Sequence, residues 1–266
     1  MIKYLCYYNT KPMKLLHVAP LVLFFSVLST EAQLVNIEAK RMQTDSTRFV
    51  LKSDLLFNYT DNNGEYVLQF DSNISTQIKS KDLEKIYFLV LNYSLVRTDE
   101  KDVQNAWFLH ARYNHELSDF FRLEGFLQNQ NNTQLTIISR NLVGAGVRFK
   151  FINKEKTKAY FGNSYMYEIE KLNGIDQWFY NHRNSSYLSL TRTFEKIHLE
   201  LVSTVYFQPL YSDIGNHRVL GQLKAEIPLT DHISLSALYN YFHTNFSSAL
   251  QDDRSSTIKV GLTFNI

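Results

Sequence analysis

The sequence predicts an all-β fold: a single transmembrane antiparallel up-and-down β-barrel of about twelve strands, with short periplasmic turns and longer extracellular loops. Three observations predict it. Segment after segment alternates apolar and polar residues with period two, the strand template and not the helical one. Most segments exceed the usual globular strand of about five or six residues and match the roughly 9 to 11 that a tilted strand needs to cross a bilayer. The chain also opens on an export-signal pattern and ends on an amphipathic strand.

The opening segment is basic at Lys3, Lys11 and Lys14. An apolar run over 15–28 follows, interrupted by His17, Pro20 and Ser26. Thr30-Glu31-Ala32 places small residues at both cleavage-determining positions, so Gln33 is the expected mature start. The run is shorter than the roughly 18 to 20 residues of a membrane-spanning helix. Met13 opens a more typical signal than Met1, and either can be the start. Residues 1–32 therefore read as a signal peptide. Residues 33–47 read as a periplasmic N-terminal segment or small plug, and 48–266 as the barrel. The only cysteine, Cys6, falls in the removed part, which leaves no disulfide and no lipid attachment at a mature N-terminal cysteine.

In the first predicted strand, 49–59, Phe49, Leu51, Leu55, Phe57 and Tyr59 share one face, and Val50, Lys52, Asp54, Leu56 and Asn58 the other. Asp61-Asn62-Asn63-Gly64 is a hairpin signal. The next strand sets Tyr66, Leu68, Phe70 and Ile74 against Glu65, Gln69, Asp71 and Asn73. Ten more candidates follow: 85–96, 106–117, 121–130, 141–151, 158–170, 184–193, 197–208, 218–229, 233–243 and 255–266. Connections at 118–120, 152–157, 194–196 and 230–232 are short, with 78–84 somewhat longer. Those at 97–105, 131–140, 171–183, 209–217 and 244–254 are longer, and only the hairpin at 61–64 breaks the alternation.

Aromatic residues cluster near the ends of the apolar faces, as in two interfacial girdles, so the apolar face is expected to point outward to lipid. The opposite face carries mixed charge. Its expected lumen-lining members are His110, Arg112, Arg122, Glu124, Arg148, Lys150, Glu168, Arg192, Glu200, Lys224 and Glu226, with Lys52, Asp54, Glu65, Asp71, Glu170, His198 and Lys259 beside them. Such a wall either selects solutes by charge and size or fills a narrow lumen with paired charges. Gly144, Gly146, Gly162 and Gly221 are expected to ease curvature or leave space near the wall.

The last strand, with Lys259, Gly261, Phe264 and Ile266, resembles the terminal signal read by bacterial barrel-assembly machinery, although Ile266 stands where an aromatic residue is commoner. The chain also resembles, over nearly its whole mature length, the salt-induced outer-membrane protein family, a domain family of unknown function, in a Bacteroidetes-like form. The carrying stretches are Asn36-Ile37-Glu38 with Arg41 and Asp45, Gly144 to Lys150, Tyr160 to Glu168, Arg183 to Leu190, and Tyr206-Phe207-Gln208-Pro209 followed by Arg218. Members of that family often carry Asp two residues before this arginine; here the position is Asn216. The resemblance implies a barrel in the outer membrane and leaves its activity open.

Lysine plus arginine (28) nearly balance aspartate plus glutamate (26), which gives nucleic-acid binding no support. Phosphate loops and diagnostic carboxylate pairs are missing, so no cofactor and no catalytic residues are expected. His232 and Ser234, with Glu226 near, are the one serine-hydrolase-like grouping, on the polar face at a short turn. His182, His217 and His243 fall on expected outer loops without metal-ligand spacing. The expected protein is thus a non-enzymatic outer-membrane barrel, a passive pore or an envelope and osmotic-stress structural protein. Its expected partners are outer-membrane lipids, the assembly machinery and small solutes or ions. The alternatives are an outer-membrane lipid hydrolase and an exported soluble ligand-binding barrel.

Overall fold

The computed structural model describes residues 47–62, 64–245 and 254–265. The expected signal peptide, nearly all of the segment 33–47, and Ile266 of the terminal signal lie outside the described residues. The described chain forms β1 (Phe49–Asn62), β2 (Glu65–Lys79), β3 (Lys85–Thr98), β4 (Asp102–Glu116), β5 (Phe121–Asn132) and β6 (Ile137–Lys154). It continues with β7 (Thr157–Leu172), β8 (Trp178–Phe194), β9 (Leu199–Pro209), β10 (His217–Pro228), β11 (Ile233–Thr244) and β12 (Arg254–Asn265). Each strand pairs antiparallel with its neighbours in sequence, and β1 meets β12 to close the barrel.

All twelve expected strands are present, but several run further than their alternation. β8 begins at Trp178 rather than 184, β6 at Ile137 rather than 141, and β4 at Asp102 rather than 106. The connections at that end therefore contract to 99–101, 133–136, 173–177 and 210–216, and the loop asymmetry is milder than the sequence suggests. The reason is physical. At this end polar side chains occupy the inward face as well, held by one another, so the ladder continues without a hydrophobic alternation to announce it. Asn181, His182 and Arg183 extend β8 in this way, paired with Glu168, Tyr167 and Met166 of β7.

The hairpin joining β1 and β2 is as tight as its Asp-Asn-Asn-Gly sequence predicts. Gly64 adopts φ +92°, and its N–H donates to Asp61 Oδ1 at 3.1 Å. The outward faces form an apolar belt that includes Leu55, Phe57, Leu89, Leu127, Leu188, Val205, Leu235 and Ile258, all exposed. Aromatic pairs ring its rims. Tyr87 packs on Tyr113 at 5.3 Å and Phe121 on Phe149 at 5.2 Å at one end, and Tyr59 on Tyr66 and Tyr165 on Tyr211, each at 6.0 Å, at the other. An apolar exterior with aromatic girdles is a lipid-facing surface, stable there because ladders between neighbouring strands satisfy most of the backbone without water.

The interior is packed. Besides polar groups it buries Val50, Phe88, Val90 and Phe108 as one cluster and Phe126, Leu142 and Met166 as another. A third joins Leu135, Ile137, Leu172, Tyr187, Tyr206, Leu220 and Phe242, with Ile175 and Phe179 packed against it. Strands such as β3 are apolar on both faces, so alternation alone does not reveal these inward residues.

Candidate functional site: the filled lumen

Alternation delivers charge to the interior. On β7 the outward Tyr165, Tyr167 and Ile169 leave Met166, Glu168 and Glu170 pointing in. Glu168 is the hub. Its Oε2 accepts from Arg218 Nη1 at 2.6 Å, and its Oε1 from Arg183 Nε at 3.4 Å and Asn181 Nδ2 at 3.0 Å. Arg140 Nε lies 3.5 Å from Glu168 Oε2 and donates to Glu170 Oε1 at 2.9 Å. Arg218 Nη2 donates to Glu170 Oε2 at 3.1 Å. Three guanidiniums thus share two carboxylates inside the wall. Arg183 also donates to the Gln208 carbonyl and to Asn216 Oδ1, both at 3.1 Å. Asn216 thus supplies Arg183 a neutral acceptor.

A second network lies nearer the other end. Glu124 pairs with Arg112 at 3.3 Å and Arg148 at 3.6 Å, and accepts from the Tyr187 hydroxyl at 3.0 Å. The Arg148 guanidinium sits 3.8 Å over the Tyr160 ring, and His110 is stacked between Phe108 and Phe126. Space for this comes from glycine. A Cβ on Gly162 would stand 2.0 Å from the Tyr187 ring, and one on Gly144 2.2 Å from Phe126. A third group lies along β1, β2, β10 and β12. Glu226 pairs with Lys224 at 2.6 Å and Lys52 at 3.4 Å, Lys259 with Asp71 at 2.5 Å, and Asp54 accepts from Thr263 at 2.6 Å and Asn73 at 3.1 Å. A vestibule of about 330 Å³ opens at the end of the turns 80–84 and 117–120, lined by Lys79, Glu84, Glu116, Arg122, Arg148 and Lys150 among others.

The structure therefore places His110, Arg112, Arg122, Glu124, Arg148, Lys150, Glu168, Lys224 and Glu226 inside the barrel. Two expected lumen residues are placed differently. Arg192 shares the outward parity of Leu188 and Leu190, is exposed, and lies 5.2 Å over the Phe194 ring at the strand end. A long cationic side chain beside an aromatic at the rim reaches the polar interface, so the outward position costs little. Glu200, opposite Glu226, is exposed at the open mouth, outside the packed region. His198, also expected inward, sits in the turn after β8 with φ +49°. Sequence reasoning misses Arg140, which falls in an expected loop. Arg183 and Arg218 carry only a family resemblance.

The histidines of the expected outer loops are strand residues instead. His182 packs beside Tyr165 and Tyr167, and His217 meets His243 at 6.4 Å. Among the described residues no three metal-ligating side chains gather. Ser234 is buried on the lumen side and hydrogen-bonds Glu226, whose carboxylate the two lysines already hold. His232 is exposed in the adjoining turn, its N–H donating to Thr230 Oγ1 at 3.3 Å.

A closed twelve-stranded antiparallel barrel with a lipid-facing exterior defines a porin-like outer-membrane β-barrel. The chain belongs to the DUF481 family, described as proteins of unknown function, which its residues 29–265 match. No curated protein matches the sequence significantly. Among solved structures, the NanC porin is similar at TM-score 0.51 with 9% identity, covering 82% of this chain and 99% of that one. The translocator domain of the autotransporter NalP from Neisseria meningitidis gives 0.48 at 13% identity, covering 84% and 90%. The KdgM porin gives 0.44 at 8%, covering 81% and 98%. At such identities the likeness is one of fold.

Proposed function

We propose that the chain is exported through a cleaved signal ending at Ala32 and inserted into the outer membrane by way of its terminal strand, where Lys259, Gly261, Phe264 and Ile266 form the assembly signal. There it serves as a structural barrel of the envelope whose lumen is closed to solutes. One observation carries this reading. Glu168, Arg183 and Arg140, in the wall of the lumen, are 0%, 1% and 2% accessible to water. Charges lining an open aqueous pore keep their hydration; these have exchanged it for one another. The packed apolar clusters beside them point the same way. The resemblance to salt-induced outer-membrane proteins supports an envelope or osmotic-stress role.

Fractionation with N-terminal sequencing tests the export half: the mature protein starts at Gln33, sediments with outer membranes and shifts on gels when heated. Recovery of soluble mature chain from the periplasm contradicts it. Liposome swelling tests the closed lumen. Vesicles carrying the barrel swell in isotonic arabinose no faster than empty ones, and rapid swelling refutes closure.

A further inference from the structure

The barrel wall is not equally sealed all the way round. β1 pairs with β2 along its whole length, from Phe49 opposite Ile78 to Asn62 opposite Glu65. Among the described residues it pairs with β12 only from Lys52 opposite Asn265 to Leu55 opposite Leu262. Residues 56–62 of β1 and 254–261 of β12 remain strands, each laddered to its other neighbour, yet no ladder joins them to each other. The seam is thus zipped near the end bearing Phe49 and Asn265 and open towards the β1–β2 hairpin. Phe57 and Ile258, at 70% and 72%, accordingly stand among the most exposed large apolar residues of the described chain.

A crevice follows the split. Leu55, Val260 and Leu262 line it on the lipid-facing side, Leu56 and Gly261 stand in the parting itself, and Asp71 and Lys259 lie behind it. Lys259 reaches behind β1 to Asp71 of β2 at 2.5 Å, a latch that spans the split from inside. Below it the seam is pinned by Thr263 donating to Asp54.

We propose that this split is a lateral site for a membrane lipid, in which one acyl chain lies between β1 and β12 against Leu56 and Val260 and ends on the paired Leu55 and Leu262. The surroundings decide the occupant. The outer lips belong to the apolar belt, so the medium at the mouth is hydrocarbon. A hydrocarbon chain is the occupant that this medium offers and that exposed Leu55, Val260 and Leu262 fit, because it covers apolar lips that water would leave bare. A site of this kind is independent of whether the lumen conducts.

The test uses the mature chain, refolded into phosphatidylcholine vesicles brominated midway along the acyl chains, with heat-shifted gel migration confirming each variant folded. A bimane label is placed on the inward position Leu56→Cys and, as control, on Gln128→Cys, inward on the fully paired β5. A second pair of variants probes the seam by oxidation: Phe57→Cys/Val260→Cys across the split and Ser53→Cys/Phe264→Cys across the zipped part. The site predicts that bromine quenches the label at 56 and not that at 128, and that only the 53/264 pair cross-links readily. Equal fluorescence of the label at 56 in brominated and unbrominated lipid overturns the proposal, whatever the cross-links show. Ready cross-linking of the 57/260 pair also overturns it, because a seam zipped there leaves no room for a chain.

Discussion

Replacing Glu168 by glutamine keeps the shape of the hub and removes its charge. In the native barrel three guanidiniums, those of Arg140, Arg183 and Arg218, face two carboxylates, and Glu168 touches all three. The substitution Glu168→Gln leaves three buried cations with Glu170 alone. Breaking a buried pair by removing one partner costs roughly 3–5 kcal/mol, because the remaining charge has already lost its water. The amide oxygen still accepts one hydrogen bond, so the low end, about 3 kcal/mol, is the better expectation. That is roughly a hundredfold in the folding equilibrium, since about 1.4 kcal/mol is tenfold. With a urea slope of about 1–3 kcal/mol per molar, the midpoint falls by roughly 1–3 M. Equilibrium unfolding from lipid vesicles, followed through Trp107 and Trp178, reads the shift. Asp176→Asn is the control: the Asp176 carboxylate, 2.9 Å from Lys171, is fully exposed, and loss of that ion pair leaves the midpoint in place. If Glu168→Gln unfolds at the same urea concentration as Asp176→Asn, the buried network does not hold the barrel together as argued.

Further expectations follow from the same geometry. Asn216→Asp sets a carboxylate against Arg183 and brings the cluster from three charges against two to three against three, so it raises the midpoint in the same urea assay, by about 1–2 kcal/mol. Gly162→Ala drives a methyl into the Tyr187 ring, whose hydroxyl is tied to Glu124, and lowers stability by about 1–3 kcal/mol, measured as a lower midpoint. Double replacement with Tyr187→Leu recovers part of that loss. Assayed on radiolabelled phosphatidylglycerol, the wild-type barrel releases no fatty acid and Ser234→Ala changes nothing; cleavage lost in that variant revives the hydrolase reading. Cutting the seam latch with Lys259→Met weakens the barrel less than Glu168→Gln, because Lys259 and Asp71 remain partly hydrated.

The strands were legible in the sequence because the environment imposes period two on them. Lipid outside and polar groups inside require that Phe49, Leu51, Leu55 and Phe57 alternate with Val50, Lys52, Asp54 and Leu56. The strand ends were less legible. Over 178–183 the faces still alternate, Trp178, Tyr180 and His182 outward and Phe179, Asn181 and Arg183 inward, but polar and aromatic residues stand on both and blur the period. Arg192 shows how a charge can mislead: its parity follows from Leu188 and Leu190, and that rule outranks its chemistry. Inward Phe88, Val90 and Phe108 were hidden because β3 and β4 carry apolar residues on the outward face as well. The pairing of Glu168 with Arg140, Arg183 and Arg218 was not readable at all. It joins β6, β7, β8 and β10 across the lumen, and no periodicity records which inward residues meet there. The seam is similar, since where β12 leaves β1 depends on closing the whole ring.

Single-channel recording on the refolded mature chain in planar bilayers tests the closed lumen most directly. With Glu168, Arg140 and Arg183 desolvated by one another, the account predicts a flat trace in molar potassium chloride at moderate voltage, after insertion has been confirmed by heat-shifted migration. Discrete, long-lived conductance steps of uniform size from the wild-type barrel would contradict it.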